Sequence, residues 1–309
     1  MPRQPGFLSS LLACAVLFPL MHSAQAQTPT MREICDDCVV EKFASCGGFL
    51  EGASIDSRGV LWVVDLVSGN ILTVSEAGQC TVESNTGGQP NGAKFHPDGR
   101  LFIADKAKGI LAFNPADKAL STIASSYRSE TLRGVNDLIF DNTGGLYFTE
   151  PYGSNTLNPN GRLFYLPAQG SLQVVADNIA FPNGVALSVD GSRVYVGEYA
   201  NKRLLSLPSV TSQDIFDVPF VFANVVGGIG PDGFALDTNG TIYSAVFQSG
   251  QVQIISATGF PVGALQIPEG TFVTNLAFRD NYLYITESSL GVIWRVKVNT
   301  RGLPYYHQQ

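Results

Sequence analysis

The chain has 309 residues, of which 45% are hydrophobic and 15% are charged, with 32 glycines and a formal net charge of −7. This much apolar content argues against disorder, and the negative charge argues against nucleic acid as a partner because it repels phosphate backbones. Low charge together with many glycines and β-branched residues is typical of a compact all-β protein.

The first predicted element is a secretory signal peptide over residues 1–26. A positive start at Arg3 precedes an apolar stretch, and a small-x-small motif ends at Ala26. No later apolar run approaches the roughly 20 residues that a membrane span needs. We therefore expect an exported protein, periplasmic or secreted, without a membrane span, in which residues 27–309 form a single domain.

Four cysteines follow the predicted signal peptide, namely Cys35, Cys38, Cys46 and Cys80. In an oxidising compartment two disulfides are the expected outcome, and four cysteines allow three connectivities among which the sequence does not choose. A structural zinc site and free thiols are the alternatives. The zinc site is disfavoured because the CDDC motif has no second CxxC motif to complete it.

Six repeats come next, each with a polar residue, a strand, a turn containing Asp, Asn or Gly, and a second apolar strand. They begin at Glu51, Asn91, Asn136, Asn183, Asp232 and Asn275, which lie 40, 45, 47, 49 and 43 residues apart. This period matches one four-stranded blade of a β-propeller. The sequence therefore predicts an all-β, six-bladed propeller.

The two ends of the repeat array predict how the propeller closes. The last repeat has no clear fourth strand, whereas the segment CVVEKFASC before the first repeat is a strand that belongs to no repeat. We expect this N-terminal strand to complete the sixth blade, because the sheet would otherwise expose an open edge.

The first residue of every repeat carries a side-chain oxygen, and the first strand of a propeller blade lines the central channel. Oxygen ligands suit a hard divalent cation, so Ca²⁺ is expected, with Zn²⁺, Mn²⁺, Mg²⁺ and Fe²⁺ left open. The alternative is that these residues only cap the loops that enter the blades, but Glu51 is a poor turn residue. Whether Asn91 and Asn275 contact metal, water or substrate is left open.

Four ordered motifs also resemble a known family. They are VNDLIFDNTGGLYFTEPYG, FPNGVALSVDGSRVYVGE, PDGFALDTNGTIY and TNLAF. They are similar to motifs of the senescence marker protein, gluconolactonase and luciferin-regenerating enzyme group of six-bladed propellers, and the resemblance covers roughly residues 45–298. It implies a single catalytic divalent metal.

The resemblance also implies the metal ligands. Glu51, Asn183 and Asp232 would be protein ligands of the cation. Asn136 would be a direct ligand, as in the diisopropyl-fluorophosphatase-like relatives, or a contact to water or substrate, as in the sugar lactonases.

Substrate contacts are implied for two further residues. Asp137 would be a polar group that faces the substrate. The sugar lactonases often carry an arginine two residues before the Asn of this motif, but this chain has Gly134 there and Arg133 one residue further away. Arg133 is therefore the candidate substrate contact, and an aldonolactone substrate is in doubt.

The predicted function is a metal-dependent hydrolase of lactones or related esters, acting on a small-molecule substrate. The cation would polarise the carbonyl and acidify a water molecule, and Asp232 would be the general base. His96 and His307 are the only histidines beyond the signal peptide, so serine-histidine and histidine-dyad mechanisms are disfavoured. A strictosidine-synthase-like or other non-hydrolytic propeller enzyme and a non-catalytic binding propeller are the alternatives. The sequence gives neither the particular substrate nor the oligomeric state.

Overall fold

The computed structural model describes Met1 and residues 28–212 and 218–304. Apart from Met1, the predicted signal peptide lies outside these described residues, so its existence stays a prediction. Within the described ranges, no helix combines the length and apolar character that crossing a bilayer requires.

The described residues form six four-stranded sheets and one two-stranded sheet. A short helix, α1 (Met31–Ile34), precedes the first strand, β1 (Val40–Ser45). The four-stranded sheets are antiparallel and follow one another along the chain as the blades of a propeller, numbered below in the order of the repeats.

The first three blades lie between residues 50 and 179. Blade 1 contains β2 (Leu50–Ile55), β3 (Leu61–Asp65), β4 (Asn70–Val74) and β5 (Cys80–Asn85). Blade 2 contains β6 (Pro90–Phe95), β7 (Leu101–Asp105), β8 (Gly109–Phe113) and β9 (Leu120–Ala124). The two-stranded sheet follows, with β10 (Ser126–Tyr127) and β11 (Glu130–Thr131). Blade 3 contains β12 (Leu138–Phe140), β13 (Leu146–Glu150), β14 (Gly161–Leu166) and β15 (Gln173–Ile179).

The last three blades complete the ring. Blade 4 contains β16 (Pro182–Leu187), β17 (Arg193–Glu198), a 3₁₀ turn (Tyr199–Asn201), β18 (Arg203–Pro208) and β19 (Phe220–Asn224). Blade 5 contains β20 (Gly230–Leu236), β21 (Ile242–Phe247), β22 (Gln251–Ile255) and β23 (Pro261–Gln266). Blade 6 contains β24 (Val273–Arg279), β25 (Tyr282–Glu287) and β26 (Val292–Lys297), with β1 as its outermost strand.

The N-terminal strand closes the propeller, as the sequence predicts. β1 pairs antiparallel with β26, in a register that runs from Val40 opposite Val296 to Ser45 opposite Val292. A disulfide between Cys46 and Cys80 then links the end of this strand to β5 of blade 1. The seam of the ring is therefore closed both by a sheet ladder and by a covalent bond.

The second disulfide joins Cys35 to Cys38, so the expected pair of disulfides forms with one of the three possible connectivities. This pairing uses all four of the cysteines that follow the predicted signal peptide. None of the four is left for the alternative zinc site.

The innermost strands β2, β6, β12, β16, β20 and β24 pack side by side in a closed ring around the channel. Glycines after the first polar residue of a repeat allow this close approach. A Cβ atom on Gly92 would lie 2.3 Å from Asp137 Oδ1, and one on Gly184 would lie 2.4 Å from the Asp232 carbonyl oxygen. Apolar clusters fill the space between neighbouring blades, such as Trp62 of blade 1 against Phe95 of blade 2.

Candidate active site

The structure brings the first residues of the six repeats to one end of the channel. Each lies within the first three residues of an innermost strand, or two residues before it in blade 3. The starts of neighbouring innermost strands meet, since a Cβ on Gly52 would be 2.3 Å from the Asn91 carbonyl oxygen, so these strands share one direction through the ring. We call this end the mouth. All six side chains are 2–5% exposed, namely Glu51, Asn91, Asn136, Asn183, Asp232 and Asn275.

Three of these side chains bury an oxygen for which the described residues offer no hydrogen-bond partner: Glu51 Oε2, Asn136 Oδ1 and Asn183 Oδ1. Buried polar atoms are nearly always paired, since an unpaired one loses its hydration without compensation. All three belong to the predicted ligand set. Carboxylate and amide oxygens are ligands that a hard divalent cation accepts, so the donor set fits such an ion.

Asn275 occupies the equivalent position in blade 6 but differs in this respect. Its Oδ1 accepts the backbone N–H of Leu276 at 2.9 Å, and its amide lies against the backbone of blade 5, where a Cβ on Gly233 would come within 2.6 Å of Nδ2. Asn275, one of the two positions left open in the sequence, therefore has a structural partner of its own. Asn183 and Asn275 therefore differ in the structure, although both begin a repeat in the sequence.

Negative charge is concentrated in the channel. Burial raises the pKa of Glu51 well above its ordinary value, and the charges of Asp232 and Asp137 add to this effect. Burial and the charge of Asp137 likewise raise the pKa of Asp232, against a hydrogen bond from the Asn183 side chain. The three carboxyl groups therefore repel one another in a poorly solvated place, which a bound cation would relieve.

Two lysines that were not predicted as site residues partly balance this charge. Lys94, in β6, is buried, which lowers its pKa, while the charges of Asp137 and Glu51 act in the opposite direction. Lys106 follows β7 at the mouth, and its charge lowers the pKa of both Glu51 and Asp232. Lys94 could have been recognised from the sequence, because no other repeat has a charged residue at its fourth position.

Asp137 lies in the channel wall, where its backbone and side chain are both engaged. Its Oδ1 accepts the N–H of Leu138 at 2.9 Å, and its Oδ2 lies 3.4 Å from the N–H of Val185. The Thr149 hydroxyl accepts the Asp137 N–H and donates to the Asn183 carbonyl oxygen at 2.7 Å, which ties blade 3 to blade 4 beside the predicted ligands. A substrate contact by Asp137 stays a prediction.

Arg133 lies at the rim of the mouth. Its guanidinium carbon is 4.4 Å from the ring centroid of Tyr152, and its backbone N–H donates to Glu150 Oε1 at 2.6 Å. The Arg133 side chain is exposed, so it faces solvent at the entrance and does not reach into the buried cluster. Its role in substrate binding also stays a prediction.

A second repeated feature, which was not predicted from the sequence, holds the loops of the mouth. In five blades the second strand ends in an acid whose carboxylate accepts a backbone N–H from the loop that enters the same blade. These acids are Asp65, Asp105, Glu150, Glu198 and Glu287. Blade 5 has Val246 at this position. The sequence pattern that could have predicted this feature is the acid at the end of the second strand of most repeats, as in LWVVD and LYITE.

In the part of the chain that the structure describes, no group of three or more His, Cys, Asp or Glu side chains is arranged to hold a metal. The predicted ligand set is of another kind, because two of its four members are asparagines. Coordination by these four residues therefore stays a prediction.

Comparison with known proteins gives the family. The model of the SMP-30/Gluconolactonase/LRE-like region matches residues 49–289, which is most of the chain. The protein therefore belongs to the SMP-30, gluconolactonase and LRE-like family, as the motifs indicated.

Individual relatives agree with this assignment. The chain is 30% identical over 263 residues to lactonase drp35 of Staphylococcus epidermidis, covering 81% of this chain and 77% of the relative. A gluconolactonase structure from Xanthomonas campestris superposes with a TM-score of 0.77 at 24% identity, covering 88% and 93% of the two chains. Regucalcin from Agrobacterium tumefaciens, described as a calcium-binding protein, gives a TM-score of 0.73 at 21% identity, covering 87% and 97%. The two structures show that the fold is shared.

Proposed function

We propose that this protein hydrolyses lactones or related esters with a divalent cation held at the mouth by Glu51, Asn136, Asn183 and Asp232. The observation that carries the proposal is that three of these residues bury an oxygen for which the described part of the chain offers no partner. The lactonase and gluconolactonase among the similar proteins support the reaction class. The description of the regucalcin relative as calcium-binding supports Ca²⁺ as the cation.

The ligand set suits this chemistry. Two of the four side chains are carboxylates, whose two negative charges match the charge of a divalent cation, and the other two are neutral amides. When bound, such a cation polarises the substrate carbonyl and lowers the pKa of a water molecule. Lys106, at the mouth, adds positive charge beside the carboxylates.

Asp232 is the group that we propose as general base. Its carboxylate would take a proton from the attacking water as the water oxygen forms a bond to the carbonyl carbon. The ring C–O bond then breaks, the ring oxygen receives a proton and leaves as an alcohol, and the product is a hydroxy acid. Water and lactone are the only reactants. Asn183 holds the Asp232 carboxylate through its side-chain hydrogen bond and thereby orients the base.

A lactone panel tests the proposal. Purified protein is stripped with EDTA, dialysed, and assayed by pH-stat against γ- and δ-lactones and aryl esters before and after addition of Ca²⁺. We expect acid release only after reloading, with the activity lost again when EDTA is restored. Hydrolysis that is equally fast in the stripped protein would contradict the metal requirement, and the absence of hydrolysis under all conditions would contradict the function.

We further propose that the protein acts outside the cytosol. The predicted signal peptide and the two disulfides support this, because disulfides persist mainly in oxidising compartments. Fractionation of cells that express the full chain, followed by mass spectrometry of the N-terminus, would test both export and cleavage after Ala26.

A further inference from the structure

One side of the mouth carries a continuous row of aromatic rings, which we call the aromatic arc. Its members come from blades 1, 4, 5 and 6 and are Phe49, Phe181, Tyr199, Phe247 and Phe272. Their ring centroids are 5.1 Å apart for Phe181 and Tyr199, 6.4 Å for Tyr199 and Phe247, and 4.6 Å for Phe247 and Phe272. Phe49 completes the arc at 6.4 Å from both Phe247 and Phe272.

The aromatic arc lies directly beside the proposed ligands. Phe49 precedes Glu51 by two residues and Phe181 precedes Asn183 by two. Tyr199 lies against the start of β20, because a Cβ on Gly230, two residues before Asp232, would be 2.1 Å from the Tyr199 carbonyl oxygen. Burial raises the pKa of the Tyr199 hydroxyl, and the nearby charge of Asp232 adds to this rise.

The rings of the aromatic arc are not ordinary core residues. Each is only half-buried, whereas the stacked core rings of Phe148 and Phe164 are 0% exposed. Aromatic rings that stay open to solvent at the rim of a polar channel are an apolar surface available to a ligand.

The opposite side of the mouth is different in character. Blades 2 and 3 contribute Lys106 and Arg133 there, together with Tyr152 beneath the Arg133 guanidinium. A ligand at the mouth would therefore meet two cations and the Tyr152 ring on one side and the aromatic arc on the other. This asymmetry suits a small molecule with a polar, carbonyl-bearing end and an apolar end.

We propose that the aromatic arc is a subsite for an apolar substituent of the substrate, and that the substrate class is alkyl- or aryl-substituted lactones, not polyhydroxylated sugar lactones. The inference rests on the proposed lactone hydrolysis. Within the aromatic arc only Tyr199 offers a side-chain hydrogen-bonding group, so the hydroxyls of a sugar would lose water there with little replacement. An alkyl chain gains affinity instead, by about fourfold for each buried methylene.

The test separates binding from turnover. The probes are 5-alkyl-2-pyrrolidinones, which are hydrolysis-resistant lactam analogues of γ-lactones, with alkyl chains of increasing length. Their affinities for the Ca²⁺-loaded protein are measured by calorimetry, and kcat/KM is measured for the matching γ-lactones. We expect affinity to rise about fourfold per methylene until the chain has covered the rings.

The variants are Phe247→Ala and Tyr199→Ala, with Phe260→Ala as control because Phe260 is 63% exposed in the turn between β22 and β23. Phe247→Ala and Tyr199→Ala should reduce the dependence of lactam affinity on alkyl chain length, and Phe260→Ala should leave it unchanged. Phe247→Leu replaces Phe247→Ala if the latter fails to fold, and a reduced dependence is expected there as well.

The outcomes distinguish the subsite from the function. If no lactone is hydrolysed, but lactam affinity still rises with chain length and the arc variants reduce this rise, the proposed function fails while the subsite stands. If lactam affinity is independent of chain length, or if the arc variants and Phe260→Ala behave alike, the subsite is overturned whether or not lactones are hydrolysed. Preference for an unsubstituted polyhydroxylated lactone over every alkyl lactone would also overturn it.

Discussion

Asn183 and Asn275 begin equivalent repeats and are buried to 4% and 2% exposure, yet their side-chain oxygens are used differently. The Asn275 oxygen accepts a backbone N–H of its own strand, whereas the Asn183 oxygen has no partner among the described residues. A buried amide oxygen without a partner destabilises a fold unless a ligand pairs with it. The proposal of a cation at the mouth therefore depends on whether individual side-chain oxygens, such as Asn183 Oδ1, have a protein partner.

Asp232→Asn tests the proposed base. The change keeps the volume and an oxygen at the mouth but removes a charge and a proton acceptor. We expect lactone turnover to fall by roughly 10²–10⁴. The matched control is Asp237→Asn in the same blade, because Asp237 accepts the N–H groups of Asn239 and Thr241 in a turn at the far end of β20. This control should lower the melting temperature while turnover by the folded protein persists.

Asn136→Ala completes the comparison. It should reduce turnover as strongly as Asp232→Asn if Asn136 is a direct ligand, and less if it contacts only water or substrate. A folded, metal-loaded Asp232→Asn variant with wild-type turnover would refute the role of the base.

The raised pKa values of Glu51, Asp137 and Asp232 predict how the stability of the metal-free protein depends on pH. The folded state holds these protons more tightly than the unfolded chain, whose carboxyl groups titrate near 4. The free energy of unfolding should therefore increase as pH falls from 7.5 towards about 5. Bound Ca²⁺ competes with the same protons, so the Ca²⁺-dependent stabilisation should shrink over this range. Melting temperatures with EDTA and with Ca²⁺ measure both trends, and EDTA-treated protein that loses stability towards pH 5 would contradict the prediction.

At the scale of elements, β1 is the clearest example of a strand whose partner is distant in sequence. It pairs with β26 and converts an incomplete three-stranded blade into a closed one. The Cys46–Cys80 disulfide then fixes this strand to blade 1, so the first and last parts of the ring are held at one seam.

The two disulfides should differ in their contribution to stability. Cys46 and Cys80 are 34 residues apart, whereas Cys35 and Cys38 are 3 apart, and a longer loop constrains the unfolded chain more. Cys46→Ser/Cys80→Ser should lower the free energy of unfolding by about 4 kcal/mol, and Cys35→Ser/Cys38→Ser by about 1.5 kcal/mol. Urea unfolding of the two double variants provides the comparison. Equal losses in the free energy of unfolding would contradict the larger contribution expected of the Cys46–Cys80 disulfide.

Elements were more predictable than the contacts between them. The period of the repeats fixed six blades, and the unassigned strand before Glu51 correctly predicted the closure, because both depend on local patterns and edge chemistry. The disulfide connectivity did not follow, since it depends on which loops meet at the seam. The small hairpin β10–β11 between blades 2 and 3 was also missed, because its strands are only 2 residues long.

At the scale of the whole molecule, the six repeats form a closed ring, and the first residues of all six therefore lie together at the mouth. The oxygen-bearing first residues were recognisable because each begins a repeat. The aromatic arc was not, because its repeat positions are aromatic in at most two blades each. Phe49 and Phe181 lie two residues before the first residue of their repeats. Tyr199 and Phe247 follow the position of the acid that ends the second strand. Lys94 and Lys106 become relevant only when the ring brings their charges to the carboxylates of other blades.

Metal content of the purified protein tests the central claim most directly. Wild-type, Asn183→Ala and Asn275→Ala proteins are dialysed against micromolar Ca²⁺, and bound metal is counted by inductively coupled plasma mass spectrometry. The account predicts one ion per chain in the wild type, a large loss in Asn183→Ala, and retention in a folded Asn275→Ala. A wild-type protein that binds no divalent ion, or an Asn183→Ala variant that keeps it fully, would contradict the account.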